Sequence, residues 1–227
     1  MRQVSKEKTL SASRKKLVQN IYAYLDRHYG DLKWWPGETP FEVIVGAILT
    51  QNTSWDNVAK AIINLKTAGM LCPEKLHSAE DAVIAGLIRP SGYYNVKTRR
   101  LKSFLNFMFG EFGGDIKAMF SLEPETLREK MLRVNGIGEE TADSILLYAG
   151  GMPVFVVDAY TKRIMKRHGI IEGEPAYSEV QKLMTACIPR KAGLYNQYHA
   201  LIVQTGKDFC RKKPLCEKCP LKRLANA

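Results

Sequence analysis

The chain contains no apolar run approaching the roughly 20 consecutive residues that cross a bilayer, so no segment reads as a membrane span. Met1–Lys8 lacks the apolar centre of a secretion signal. Cysteine does not come as a paired framework: there are five, with Cys72 and Cys187 isolated and three crowded between Cys210 and Cys219. That distribution excludes a disulfide scaffold and points instead to metal-binding thiols. Strand-period alternation is missing, as are low-complexity tracts and repeats of 20 to 50 residues. On these grounds the chain is expected to be a soluble, cytoplasmic protein.

What the chain does have is positive charge: 34 Lys and Arg against 23 Asp and Glu, a net +11 over 227 residues. A polyanionic partner fits that balance, as it fits other classes of basic protein. With 45% apolar residues the chain can bury a core. Apolar positions recur at three- and four-residue spacing in Leu17–Tyr29, Phe41–Leu49, Val58–Leu65, Ala82–Ile88, Leu101–Phe109, Thr126–Leu132, Ala142–Ala149, Ala159–Arg167 and Leu194–Val203. Gly- and Pro-rich breaks separate them, including Gly30–Pro40, Arg89–Tyr93 and Gly150–Pro153. The pattern predicts an all-α protein of about ten helices, with Val154–Val157 as an extended approach to the helix after Asp158.

Two helical patterns meet at Val134-Asn135-Gly136-Ile137-Gly138. Gly136 permits the positive φ of a tight reversal, Gly138 leaves the amides of the next helix bare for a phosphate oxygen, and Ile137 anchors the turn. A plain helical corner accounts for the same residues. About 20 residues on, the apolar run after Pro153 ends at Asp158, which in isolation reads as an N-cap.

Taken together, a Gly-x-Gly hairpin, a Gly/Pro loop and an Asp at a helix start resemble the helix-hairpin-helix-GPD superfamily of DNA glycosylases, the endonuclease III-like proteins. Ala47-Ile-Leu-Thr-Gln51-Asn-Thr also matches the family's helix and turn before the active site. The resemblance implies a two-lobed all-α fold with the active site in a cleft between lobes: residues 32–149 as the helical lobe carrying the hairpin, and 1–31 with 150–227 as the second. It implies double-stranded DNA as partner, phosphate contacts from Asn135, Gly136, Ile137 and Gly138, and Asp158 as the carboxylate that stabilises a cationic sugar and orients or deprotonates water while a flipped base is excised. Members that also cut the strand carry a Lys in the second hairpin helix, where it forms a Schiff base with the sugar. Here that position is Glu140, which implies a monofunctional enzyme of base excision repair.

The segment Lys33-Trp34-Trp35-Pro36 and the stretch Arg89–Lys97 are similar to the 3-methyladenine-DNA glycosylase III branch. Trp34 and Trp35 are core residues on composition alone; in that branch a Trp-Trp-Pro turn borders the base pocket, and an aromatic wall favours an electron-poor alkylated purine through cation–π stacking. Gln51 is either a polar helix end or the residue that fills the space of the flipped base. Lys97, Arg99, Arg100 and Lys102 read as a solvated basic face. Rival readings are a glycosylase/AP lyase for oxidised pyrimidines, a uracil or thymine mismatch glycosylase, and a non-catalytic DNA-binding protein.

Cys210, Cys216 and Cys219 are spaced to converge on one centre. The resemblance implies a structural [4Fe–4S] cluster. However, the five-residue gap from Cys210 to Cys216 is one shorter than the family's, and the fourth thiol position falls on Ala225. Cys187, a non-thiolate ligand, a labile three-cysteine cluster, zinc and a metal-free remnant all remain open on sequence.

Overall fold

A computed structural model describes residues 11–224, and within them the chain is all-helical. Ala225 lies outside the described residues. Lys33–Val156 forms one compact unit, and the described residues up to Leu32 form a second with those from Val157 onward.

The first unit is organised around α2 (Pro40–Leu49), in which every residue from Phe41 to Leu49 is buried. A helix buried along its whole length has to be central to its unit. Thr39 caps it, its hydroxyl accepting from Glu42 N at 3.2 Å, and Pro40 occupies the first helical position, where a missing N–H costs nothing. After it come α3 (Trp55–Thr67), α4 (Pro73–Ser78), α5 (Asp81–Leu87), α6 (Tyr94–Phe112), α7 (Ile116–Phe120), α8 (Pro124–Leu132) and α9 (Glu139–Ser144), the last continued by a wider turn, Ile145–Ala149; α3, α6, α9 and that turn pack directly on α2. Ile44, Ile48, Leu65, Phe104 and Leu146 are wholly buried in their shared core.

In the second unit α1 (Ala12–Tyr29) lies along α12 (Ala192–Asp208), with α10 (Ala159–Arg167) and α11 (Tyr177–Cys187) completing the group. Tyr198 donates its buried hydroxyl to Val18 O at 2.7 Å, and Gln197 donates to both Asp26 Oδ1 and Gly30 O, so α12 is pinned to α1 at two levels. Gly206 sets the α10–α12 approach: a Cβ there would stand 2.1 Å from the Tyr160 ring. Arg163 lies over that ring and donates to the carbonyls of Cys210 and Gly206, fixing α10 against the end of α12.

The periodicity located nine helical patterns; α4, α7 and α11 escaped it. The first two are too short to show a period, and α11 buries only Val180, Met184 and Cys187. Val154–Val157 is extended without a strand partner among the described residues, in line with its reading as an approach to α10.

Candidate active site

The residues predicted from the sequence to carry the chemistry fall into two groups, one in each unit. In the Lys33–Val156 unit, the turn Val134–Gly138 joins α8 to α9. Gly136 has φ +86°, open to glycine and strained for other residues, and a Cβ there would meet Arg100 Cγ at 2.3 Å. Gly138 is exposed; its carbonyl accepts from Ala142 N at 2.9 Å, so α9 begins there. Ile137 is buried as the anchor, while Asn135 is exposed at the tip.

The hairpin is braced from behind. Gln51 donates its amide to Gly136 O at 3.0 Å and to Thr141 Oγ1 at 2.8 Å, while its oxygen accepts from Arg100 Nη1 at 2.5 Å. A second brace is ionic. Asp143, wholly buried on α9, accepts from Arg128 Nε at 2.6 Å and Nη2 at 3.2 Å, and the same guanidinium reaches Glu139. Glu140 is exposed on the first turn of α9.

The basic run of α6 is not the solvated face its sequence suggests, because only Arg99 of the four is exposed. Lys97 is 1% exposed and donates to Leu49 O at 2.7 Å and Ser91 O at 2.6 Å, closing the end of α2 and the turn Arg89–Ser91. Lys102 donates to the carbonyls of His77 and Ala79. These long side chains satisfy helix-end carbonyls that would otherwise be buried bare, a use indistinguishable in sequence from a surface charge run.

Trp34 and Trp35 are half-buried. The Trp35 ring lies 4.8 Å from that of Tyr148, tilted by 30°, and edge-on to Trp55 at 5.2 Å. Trp55 and Tyr148 thus join an aromatic group that sequence reasoning assigned to Trp34 and Trp35 alone. Their only available signal was aromatic identity on helical segments, which core residues share.

In the second unit Asp158 caps α10. Its Oδ1 accepts from Thr161 N at 2.7 Å and from Thr161 Oγ1 at 2.8 Å. Oδ2 lies 3.6 Å from His199 Nε2, just beyond hydrogen-bond range, and both side chains are nearly buried. Burial raises the carboxyl's pKa, but the neighbouring His199 and the two Thr161 bonds outweigh it, leaving Asp158 below its ordinary value. Position at a helix N-terminus acts in the same direction. The arrangement presents an ionised carboxylate with one oxygen fixed by the backbone and one beside an imidazole. His199 was missed because a single histidine on an apolar helix carries no pattern.

At the far end of α10 the three clustered cysteines border one cavity of about 70 Å³, with Cys210 buried, Cys219 half-buried and Cys216 exposed. No group of three or more His, Cys, Asp or Glu among the described residues already stands together as a metal shell. Arg167 donates to Cys210 Sγ at 3.1 Å, and His168 faces the same cavity. Cys187 is buried at the end of α11 and does not border it.

Residues 45–190 match the family model described as the HhH-GPD superfamily base excision DNA repair protein. Over 210 residues the chain is 46% identical to a protein of Methanocaldococcus jannaschii provisionally described as a DNA repair glycosylase, covering 92% of this chain and 95% of that one. The H. pylori 3-methyladenine DNA glycosylase, solved bound to 1,N6-ethenoadenine, superposes with a TM-score of 0.72 at 30% identity, covering 86% of this chain and 97% of that one. An endonuclease III trapped covalently on DNA shares the fold with a TM-score of 0.79 at 21% identity, over 92% and 94% of the two chains. The all-helical architecture, the hairpin, the carboxylate that caps α10 and these matches identify the chain as a member of the HhH-GPD superfamily, the DNA glycosylases of base excision repair.

Proposed function

We propose that the protein is a monofunctional DNA glycosylase that hydrolyses the N-glycosidic bond of a flipped, alkylated purine, 3-methyladenine being the type substrate. The observation that carries this reading is Glu140: an exposed carboxylate stands on the first turn of α9, where strand-cutting relatives need an amine. A carboxylate cannot form the Schiff base through which the strand is cut, so the reaction ends at the abasic site.

In this reading the hairpin amides, with Asn135 and Gly138 exposed at its tip, grip a phosphate, and Asp158 acts on the sugar. As the glycosidic bond breaks, positive charge grows on the sugar, and the ionised Asp158 carboxylate stabilises it and orients or deprotonates the attacking water. Water adds to the sugar carbon, its proton leaves, and the base departs with the bonding electron pair. An alkylated purine is often cationic and so already a good leaving group, which suits a site whose one assigned catalytic group is a carboxylate. Trp34 and Trp35 are assigned to the base, which they favour by cation–π stacking. Gln51 is assigned to the space the base vacates, and entering it means exchanging its hydrogen bonds to Gly136, Thr141 and Arg100 for contacts with bases. The name of the H. pylori relative supports the substrate class.

Cys210, Cys216 and Cys219 are assigned to an iron–sulfur cluster. When bound, it would rigidify the loop after α12 and take no part in base release, which involves no electron transfer.

The test is to incubate the protein with duplexes containing 3-methyladenine, uracil, a thymine mismatch or an oxidised pyrimidine, scoring base release separately from strand cleavage. Release of the alkylated purine without nicking is expected. Nicking that accompanies release overturns the inference from Glu140, release confined to another duplex overturns the substrate class, and binding without release from any duplex favours a non-catalytic DNA-binding protein.

A further inference from the structure

The cysteine cluster supplies three thiols, and the position where a fourth thiol belongs holds Ala225. The cavity that Cys210, Cys216 and Cys219 border has another wall, formed where α10 ends, and His168 stands on it. Its Nδ1 is shut off from solvent and has no hydrogen-bond partner among the described residues.

Histidine binds metal through a bare ring nitrogen of its neutral form. A buried ring nitrogen with no partner is costly to fold around unless something completes it. The cavity is several times larger than the roughly 10–15 Å³ that one water-sized sphere needs, so it has room for more than a single ion. Cys187 does not border this cavity.

We infer that His168, through Nδ1, is the fourth ligand of a [4Fe–4S] cluster held by Cys210, Cys216 and Cys219. Three thiols lose their protons on binding while the imidazole binds neutral, so replacing a fourth thiolate by His168 leaves the centre one unit less negative. Arg167, which donates to Cys210 Sγ, lies in the next shell. Because α10 starts at Asp158 and ends at His168, the cluster would hold the helix that carries the catalytic carboxylate at its other end.

The inference rests on the cofactor reading above, and it is tested on the full chain purified without oxygen from cells supplied with iron and cysteine. Iron, acid-labile sulfide and zinc are measured, together with visible absorption and the magnetic resonance spectrum of the reduced cluster. Wild type is expected to hold about four irons and four sulfides per chain, with nitrogen hyperfine coupling in the reduced cluster. His168→Ala should lose most of the iron, while His168→Cys should retain it and lose the nitrogen coupling. Circular dichroism of each variant reports whether the helices remain folded. Full iron and unchanged spectra in His168→Ala overturn the inference and leave the cofactor reading standing; wild type holding only zinc, or no metal, overturns both. Base release measured on the same preparations tests the glycosylase reading separately.

Discussion

Oδ1 of Asp158 takes both hydrogen bonds that Thr161 offers, from its backbone N–H at 2.7 Å and its hydroxyl at 2.8 Å, and so keeps Oδ2 out of the helix cap. One oxygen thereby makes the structural cap, and the other is left for the chemistry proposed for Asp158. Asp158→Asn separates the two duties, because asparagine caps a helix about as well as aspartate but carries no charge. Base release should fall by about 10²–10³-fold or more, while the thermal midpoint falls only by what the charged form adds to the cap. A large loss of stability would instead place the carboxylate's main duty in the fold.

The same carboxyl predicts a pH profile. Its pKa is held below the ordinary carboxylate value, so the stability gained from the charged form is complete above the unfolded pKa of about 3.9 and is lost as pH falls through the lower folded value. Base release should therefore show no acid limb from Asp158 between about pH 5 and 7. His199→Leu removes one of the neighbours that holds the carboxyl ionised and should move the acid limb upward, which a rate–pH series on both proteins measures.

Glu140→Lys places an amine at an exposed position on the first turn of α9. If the missing amine is what withholds strand cleavage, the variant should be trapped on abasic DNA by borohydride, which reduces the imine formed between lysine and the sugar aldehyde. Wild type should give no such adduct. An equal yield of adduct from both proteins would point to another lysine already acting as nucleophile.

Arg128→Met removes both guanidinium hydrogen bonds that the wholly buried Asp143 carboxylate accepts. Removing one side of a buried ion pair costs about 3–5 kcal/mol, and the partial exposure of Arg128 favours the lower end. Urea unfolding should show this loss, and adding Asp143→Asn should recover part of it. A loss below about 1 kcal/mol would mean that the pair contributes as little as a surface bridge.

Lys97→Met leaves the carbonyls of Leu49 and Ser91 without their donor and should destabilise the protein by about 1–3 kcal/mol. Burial, with the Arg100 charge nearby, pushes the Lys97 pKa down to about 8. Between that value and the ordinary lysine value of about 10.4 the unfolded chain binds a proton that the folded chain does not, so wild-type stability gains with rising pH. The variant lacks that gain, and the stability gap between the two should widen from pH 8 upward. Chemical denaturation at three or four pH values measures it.

Long periodic helices such as α2, α3 and α12 were legible because burial of a stripe leaves its period in the residue types, and the hairpin was legible because its reversal calls on glycine at Gly136. Asp158 was legible twice over, as an N-cap and as a family position. The α6 cations were misread because a lysine that satisfies buried carbonyls and one that faces water are the same letter at the same spacing; only the positions of Leu49, Ser91, His77 and Ala79 tell them apart.

By itself the sequence determined what local physics and composition can determine: an all-helical chain with net positive charge, a hairpin whose glycine relieves a backbone strain, a carboxylate at a helix start, and three thiols too closely spaced to be incidental. Only the tertiary structure decided which partners those groups have. Gln51 and Arg100 meet Gly136 across 85 and 36 residues of chain, His199 meets Asp158 across 41, and His168 shares a cavity with Cys210 across 42. Hydrogen bonds, ion pairs and ligand sets depend on distances of a few ångströms between side chains far apart in sequence, and those distances exist only once the helices have packed.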